Sequence, residues 1–137
     1  MESYKITDLH IGQKKEKEFY VSEEMGRKFA EVCGDFNPVH FDDAFAEKTV
    51  FGKKIVHGML VGSFISGVIG NEFPGNGSIY MKQELKFVKP VYYGDKVRVC
   101  VEVSEIDTVK SRVELHTDCY NQLDEMVISG VALVMMK

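Results

Sequence analysis

At 137 residues the chain has the length of one domain, and 45% hydrophobic with 28% charged residues is an ordinary globular balance. A formal charge of −4, with Lys and Arg interleaved among acids as in Lys14-Lys15-Glu16-Lys17-Glu18, argues against a nucleic-acid partner. Three distant cysteines, Cys33, Cys100 and Cys119, have no CxxC or His-paired spacing, which speaks against a disulfide framework and for reduced thiols in a cytoplasmic protein.

Met1 to Lys5 holds no apolar run, so no secretory leader is expected. Lys15 to Val21 alternates weakly and reads as an edge strand. Ser22 is a helix N-cap followed by Glu23 and Glu24, acids that suit the first turn. Met25, Phe29, Val32 and Cys33 recur at helical spacing, and Gly34 is placed to stop that helix. Residues 35–54 carry Asn37-Pro38 and Gly52 and read as a loop with a short helical turn around Ala44 to Glu47. Val56 to Gly70 is apolar nearly all round with small residues among the bulky ones. It is shorter than the roughly 20 apolar residues of a membrane span, so a buried helix wrapped on most sides is expected, with no membrane partner.

The second half switches to period two. Ile79, Met81, Gln83, Leu85 and Phe87 share one side of a strand; Val97, Val99, Val101 and Val103 share one side of the next. Val113, Leu115, Thr117 and Cys119 mark a third, and Val127 to Met136, apolar on both faces, reads as a central strand. Residues 1–137 therefore form one α+β domain, an antiparallel sheet wrapped around one long central helix, because neither element can bury its apolar surface alone.

Two segments carry chemistry. In Gly34-Asp35-Phe36-Asn37-Pro38-Val39-His40, the proline steers Asn37 away from helix, and the resulting turn can bring Asp35 and His40 together as an acid–base pair. The plainer reading of Asp-x-Asn-Pro is a capping turn. In Ile55-Val56-His57-Gly58-Met59-Leu60, the start of the buried helix offers free N–H groups to a developing negative charge, and Gly58 permits close approach. For His57 alone, a satisfied core or capping histidine is the plainer reading, but beside Gly58 it is counted among the substrate-binding or supporting residues. Together the segments suit proton transfer beside a thioester carbonyl.

The stretch from Gly34 to Gly70, with Gly-Asp-Phe-Asn-Pro-Val-His, Ile-Val-His-Gly-Met-Leu and Ser66-Gly67, resembles the hydratase-2 signature of MaoC-like enoyl-CoA hydratases. Gly77-Ser78-Ile79-Tyr80, Lys89-Pro90-Val91 and Gly94-Asp95 are similar to the short bacterial members of that family. The resemblance implies a hot-dog fold, a homodimer, and reversible syn hydration of trans-2-enoyl-CoA to (R)-3-hydroxyacyl-CoA. It implies no cofactor beyond the CoA carried by the substrate. On the same basis Asp35 and His40 are the catalytic pair, Asn37 supports the water or substrate, Gly58 polarises the thioester carbonyl, and Ser66 lies near the pair.

The rival readings are a hot-dog acyl-CoA thioesterase and a non-catalytic acyl-CoA-binding module. Met59 to Gly70 contains no Asp or Glu, which disfavours thioesterases and acyl-carrier-protein dehydratases with a helix-borne carboxylate. An intact Asp35, Asn37 and His40 disfavours mere binding. A metal held by Asp35, His40 and Asp42 lacks a second histidine cluster, and no metal is expected. Ile69, Phe73 and the last strand are candidates for the floor of an acyl tunnel.

Overall fold

The structure, a computed structural model, describes residues 3–137. Met1 and Glu2, part of the stretch expected to carry no leader, lie outside the described residues. Strand β1 (Lys14–Tyr20) leads to helix α1 (Glu23–Cys33), a 3-10 turn at Pro38–His40, short helix α2 (Asp43–Glu47) and helix α3 (Gly58–Asn71). Strands β2 (Ser78–Phe87), β3 (Lys96–Asp107), β4 (Arg112–Tyr120) and β5 (Met126–Met136) follow. Among the described residues these strands form one antiparallel sheet in the order β1-β3-β4-β5-β2.

The period-two faces of β3 and β4 are the core faces. Val97, Val99, Val101, Val103, Val113, Leu115 and Cys119 are all buried against Val61, Ile65 and Val68 of α3. Withdrawing a side chain of this size from water contributes roughly 1.5–3 kcal/mol. β5 sits between β4 and β2, which is why both its faces are apolar. β2 does not continue into its sequence neighbour β3 but crosses to the far edge of the sheet. A register shift between Tyr80 and Lys82 breaks its alternation, and Ile79 and Met81 are exposed rather than buried.

The other helices depart from expectation in instructive ways. The caps of α1 are as read: Ser22 accepts the N–H of Met25, and Gly34 takes the left-handed conformation at φ 85°. Its buried residues, however, are Gly26 and Ala30, while Val32 and Cys33 face solvent. Gly26 lets the helix approach Tyr93, whose hydroxyl would be 2.5 Å from a Cβ at that position. α3 starts at Gly58 rather than Val56 because Val56 first donates its N–H to the Val91 carbonyl at 2.7 Å. Nor is α3 wrapped on most sides: Met59, Ser63, Ser66, Gly67 and Gly70 form an open face. Among the described residues no helix is long and apolar enough to cross a membrane.

Candidate active site

The left-handed Gly34 turns the chain out of α1 directly into Asp35. Two short side-chain bonds then wind the segment: Asn37 N–H donates to Asp35 Oδ1 at 3.1 Å, and Val39 N–H donates to Asn37 Oδ1 at 3.2 Å. Pro38 opens the 3-10 turn that ends at His40. Winding of this kind brings Asp35 Oδ2 to 3.7 Å from His40 Nε2. That gap is too long for a hydrogen bond and suits a water bridging the two groups.

The pair is held from three sides. His40 Nδ1 donates to the Ile55 carbonyl at 2.8 Å; a carbonyl only accepts, so Nδ1 carries the proton and Nε2 presents its lone pair toward Asp35. Tyr93 donates its hydroxyl to the His40 carbonyl at 3.1 Å. His57 Nε2 donates to the Asp35 carbonyl at 2.9 Å, and its ring stacks on His40 with centroids 3.8 Å apart. Burial holds the His40 pKa below the ordinary 6.5; the Ile55 bond and the Asp35 charge oppose that shift, and His57 adds to it. His40 is 8% exposed, whereas the Asp35 side chain is half exposed and open to solvent.

Directly after His57, Gly58 begins α3. The N–H groups of a first helical turn have no partner within the helix, and His57 supplies no side-chain cap. Gly58 shares a cavity of about 440 Å³ with Asp35, His40 and His57. Its other walls are apolar: Phe29, Val61, Phe87, Val127 and Ile128, with Lys89 and Pro90 also contributing. A Cβ at position 58 would stand 2.7 Å from the Phe87 ring, so glycine keeps this end of the cavity open to a substrate carbonyl. An apolar slot with an acid–base pair and a free helix N-terminus is equipped to bind an acyl thioester and to shuttle a proton beside its carbonyl.

The profile of the family described as MaoC like domain matches residues 8–122. The chain belongs to that family. Over 128 residues it is 42% identical to the (R)-specific enoyl-CoA hydratase of Aeromonas caviae, covering 92% of this chain and 94% of that one. It is 42% identical over 129 residues to the 3-hydroxybutyryl-CoA dehydratase of Methylorubrum extorquens, covering 93% of this chain and 80% of the relative. The unliganded R-hydratase PhaJ1 of Pseudomonas aeruginosa superimposes with a TM-score of 0.91 at 42% identity, over 96% of this chain and 84% of that one. The fold is the hot-dog arrangement that the signature residues implied.

Within this MaoC-like domain the expected site residues separate into two groups. Asp35, His40, His57 and Gly58 converge on the cavity. Asn37 is exposed and spends its side-chain carbonyl on the turn that carries His40. Ser66 lies on the open face of α3, two turns beyond Gly58, and is not part of the cavity wall. Ile69 and Phe73 are buried in the core away from the cavity, so among the candidates for its floor the last strand alone contributes, through Val127 and Ile128.

Ligand atoms of Asp35, His40 and His57 lie within 4.8 Å of one another. The two rings are stacked at 25°, so their in-plane lone pairs run side by side instead of converging on a metal. One nitrogen of each ring is also committed to a carbonyl. Asp42 is occupied elsewhere, capping α2 through the Phe45 N–H. Sequence reasoning missed Tyr93, Phe29 and the Ile55 carbonyl; each meets the site through tertiary contact, and no local pattern announces them.

Proposed function

We propose that this single MaoC-like domain is an (R)-specific enoyl-CoA hydratase, catalysing the reversible syn addition of water to trans-2-enoyl-CoA. The observation that carries the reading is the 3.7 Å gap between the Asp35 carboxylate and the unprotonated Nε2 of His40, beside a free helix N-terminus. One water donates its two hydrogens to the pair, leaving an oxygen lone pair to attack C3. As the C3–O bond forms, the C2=C3 electrons move onto the thioester oxygen, which rests on the Gly58 N–H. Such a donor is worth about 3–4 kcal/mol to the transition state. The pair takes one water proton and returns a proton to C2. Because one pair 3.7 Å apart handles both the water and the returning proton, hydrogen and hydroxyl add to the same side.

The reaction needs no cofactor beyond the CoA of the substrate, and no metal enters it. The working unit is a homodimer: edge strand β2, with Ile79, Tyr80 and Met81 exposed, and the open face of α3 are the surfaces a second copy covers. The enzyme acts in the cytoplasm, where its CoA thioester substrates are found.

The test is loss of enoyl-thioester absorbance with crotonyl-CoA, followed by chiral analysis. Formation of (R)-3-hydroxybutyryl-CoA supports the reading. Release of free CoA from saturated acyl-CoAs with no loss of crotonyl-CoA moves the chain to the thioesterases, and tight acyl-CoA binding without turnover makes it a binding module. Light scattering should give twice the 15.5 kDa protomer mass.

A further inference from the structure

His57 does something that neither a core histidine nor a helix cap does. It is 2% exposed, and at the N-cap position of α3 its side chain caps nothing. Its Nε2 instead reaches back 22 positions to the main-chain carbonyl of Asp35, the residue whose carboxylate faces the water site. Its ring lies flat against that of His40. Phe29 and Phe41 stand edge-on to it at 5.1 and 5.6 Å and fix its plane. Its Nδ1 is buried and has no hydrogen-bond partner among the described residues. A buried polar atom without a partner carries a free-energy penalty, so packing alone favours an apolar ring at this position. The polar ring's return is its single N–H bond, and that bond is spent on Asp35.

We infer that His57 is the positioning residue of the dyad: one side chain grips Asp35 by its carbonyl and His40 by its ring face, and so sets the gap the water must fill. The inference rests on the hydratase reading and adds a residue that acts through the pair, by holding Asp35 and His40 in place. The need for such a grip follows from exposure. The Asp35 side chain is half exposed on a segment just past a left-handed glycine, and the Asn37 N–H to Oδ1 is the one bond the described residues make to its carboxylate. Without His57 the carbonyl of Asp35 is free to turn, and the carboxylate drifts from His40 while both remain present. A misplacement of about 1 Å in such a pair costs on the order of 100-fold in rate.

The test uses two variants that each keep half of the contact. His57→Phe keeps the ring face and loses the donor; His57→Gln keeps an N–H donor and loses the ring. Both are assayed with crotonyl-CoA, with kcat and KM separated and thermal melts run in parallel. The expected result is a 10- to 100-fold fall in kcat for His57→Phe, a smaller fall for His57→Gln, and KM within about twofold of wild type in both. In a His40→Gln background, His57→Phe should lower the residual rate by less than twofold, because residues acting as one unit are not additive.

Wild-type kcat in a folded His57→Phe overturns the inference, as does a loss that appears entirely in KM or multiplies through undiminished in the His40→Gln background. Should His57→Phe fail to fold, the kcat of His57→Gln decides: a fall in kcat at constant KM supports the grip, and an unchanged kcat overturns it. Failure of the wild-type chain to hydrate crotonyl-CoA would count against the hydratase reading itself, a result distinct from active wild type with undiminished variants.

Discussion

Gly58→Ala tests the seat of the thioester oxygen with the smallest available perturbation. Gly58 occupies the first position of α3 without a positive φ, so alanine is acceptable to the backbone and favours the helix. The added methyl would sit 2.7 Å from Phe87 Cδ1 and Cε1, and ordinary contact requires the ring to retreat by roughly 0.7 Å. Phe87 is 52% exposed and can yield, so the melting temperature should move by only a few degrees. Activity should fall much further. The N–H survives, but the substrate carbonyl can no longer approach it as closely. Complete loss of such a donor lowers kcat by about 100- to 1,000-fold; partial loss, ~1.5–3 kcal/mol, predicts a 10- to 100-fold fall in kcat/KM. Crotonyl-CoA absorbance gives the rate and a thermal melt gives the stability. Phe87→Ala is the control: it removes the ring and leaves the N–H, so it should raise KM and leave kcat within a few-fold. If folded Gly58→Ala retains wild-type kcat/KM, the thioester oxygen is not held at Gly58 and the argument is refuted.

Asp35→Asn and His40→Gln should each lower kcat by about 100- to 10,000-fold with far-ultraviolet circular dichroism unchanged; substantial turnover in both would remove the pair from the mechanism. The acid limb of the kcat/KM profile should fall below pH 6.5, because the shift favours unprotonated His40 and Nε2 remains an acceptor into mildly acidic solution. Since the folded pKa is depressed, this residue contributes stability that is fully present above 6.5 and is lost as pH falls through the folded value; urea midpoints measured from pH 7.5 down to 5 follow it. Gly26→Ala would place a Cβ 2.5 Å from the Tyr93 hydroxyl that holds the His40 carbonyl. It should cost about 1–3 kcal/mol by denaturant titration and lower kcat as well, an outcome that an ordinary helix substitution does not give.

What the sequence made legible followed chemistry that is local along the chain. The cap at Ser22, the stop at Gly34 and the valine ladder of β3 are decided by residues within one turn or one strand, and the structure agrees with each. The convergence of Asp35 with His40 was legible for the same reason, since the Asp-x-Asn-Pro turn is built from its own side chains. The packing face of α1 was legible in part: Met25 and Phe29 pack against the core as their spacing implied, but Val32 and Cys33 are exposed, and close approach to Tyr93 selected the small Gly26. The exposure of Ile79 and Met81 depends on a bulge and on β2 crossing to the sheet edge, neither of which the alternation records. Tyr93 lies 53 positions from the carbonyl it holds, and its role follows from the packing of the Tyr92–Asp95 turn against α1.

The division of labour along the chain has a practical consequence. The groups assigned to the reaction, Asp35, His40, His57 and Gly58, fall in one continuous stretch, whereas much of the apolar cavity wall comes from β2 and β5, through Phe87, Val127 and Ile128. A library confined to those strand positions reshapes one wall of the acyl chamber without changing the identity of any residue of the proton machinery, whereas a library over residues 35–58 alters both, because Phe51, Ile55 and Val56 line the same cavity. Substrate range can therefore be altered from the strands alone, with the acid–base pair left as it is.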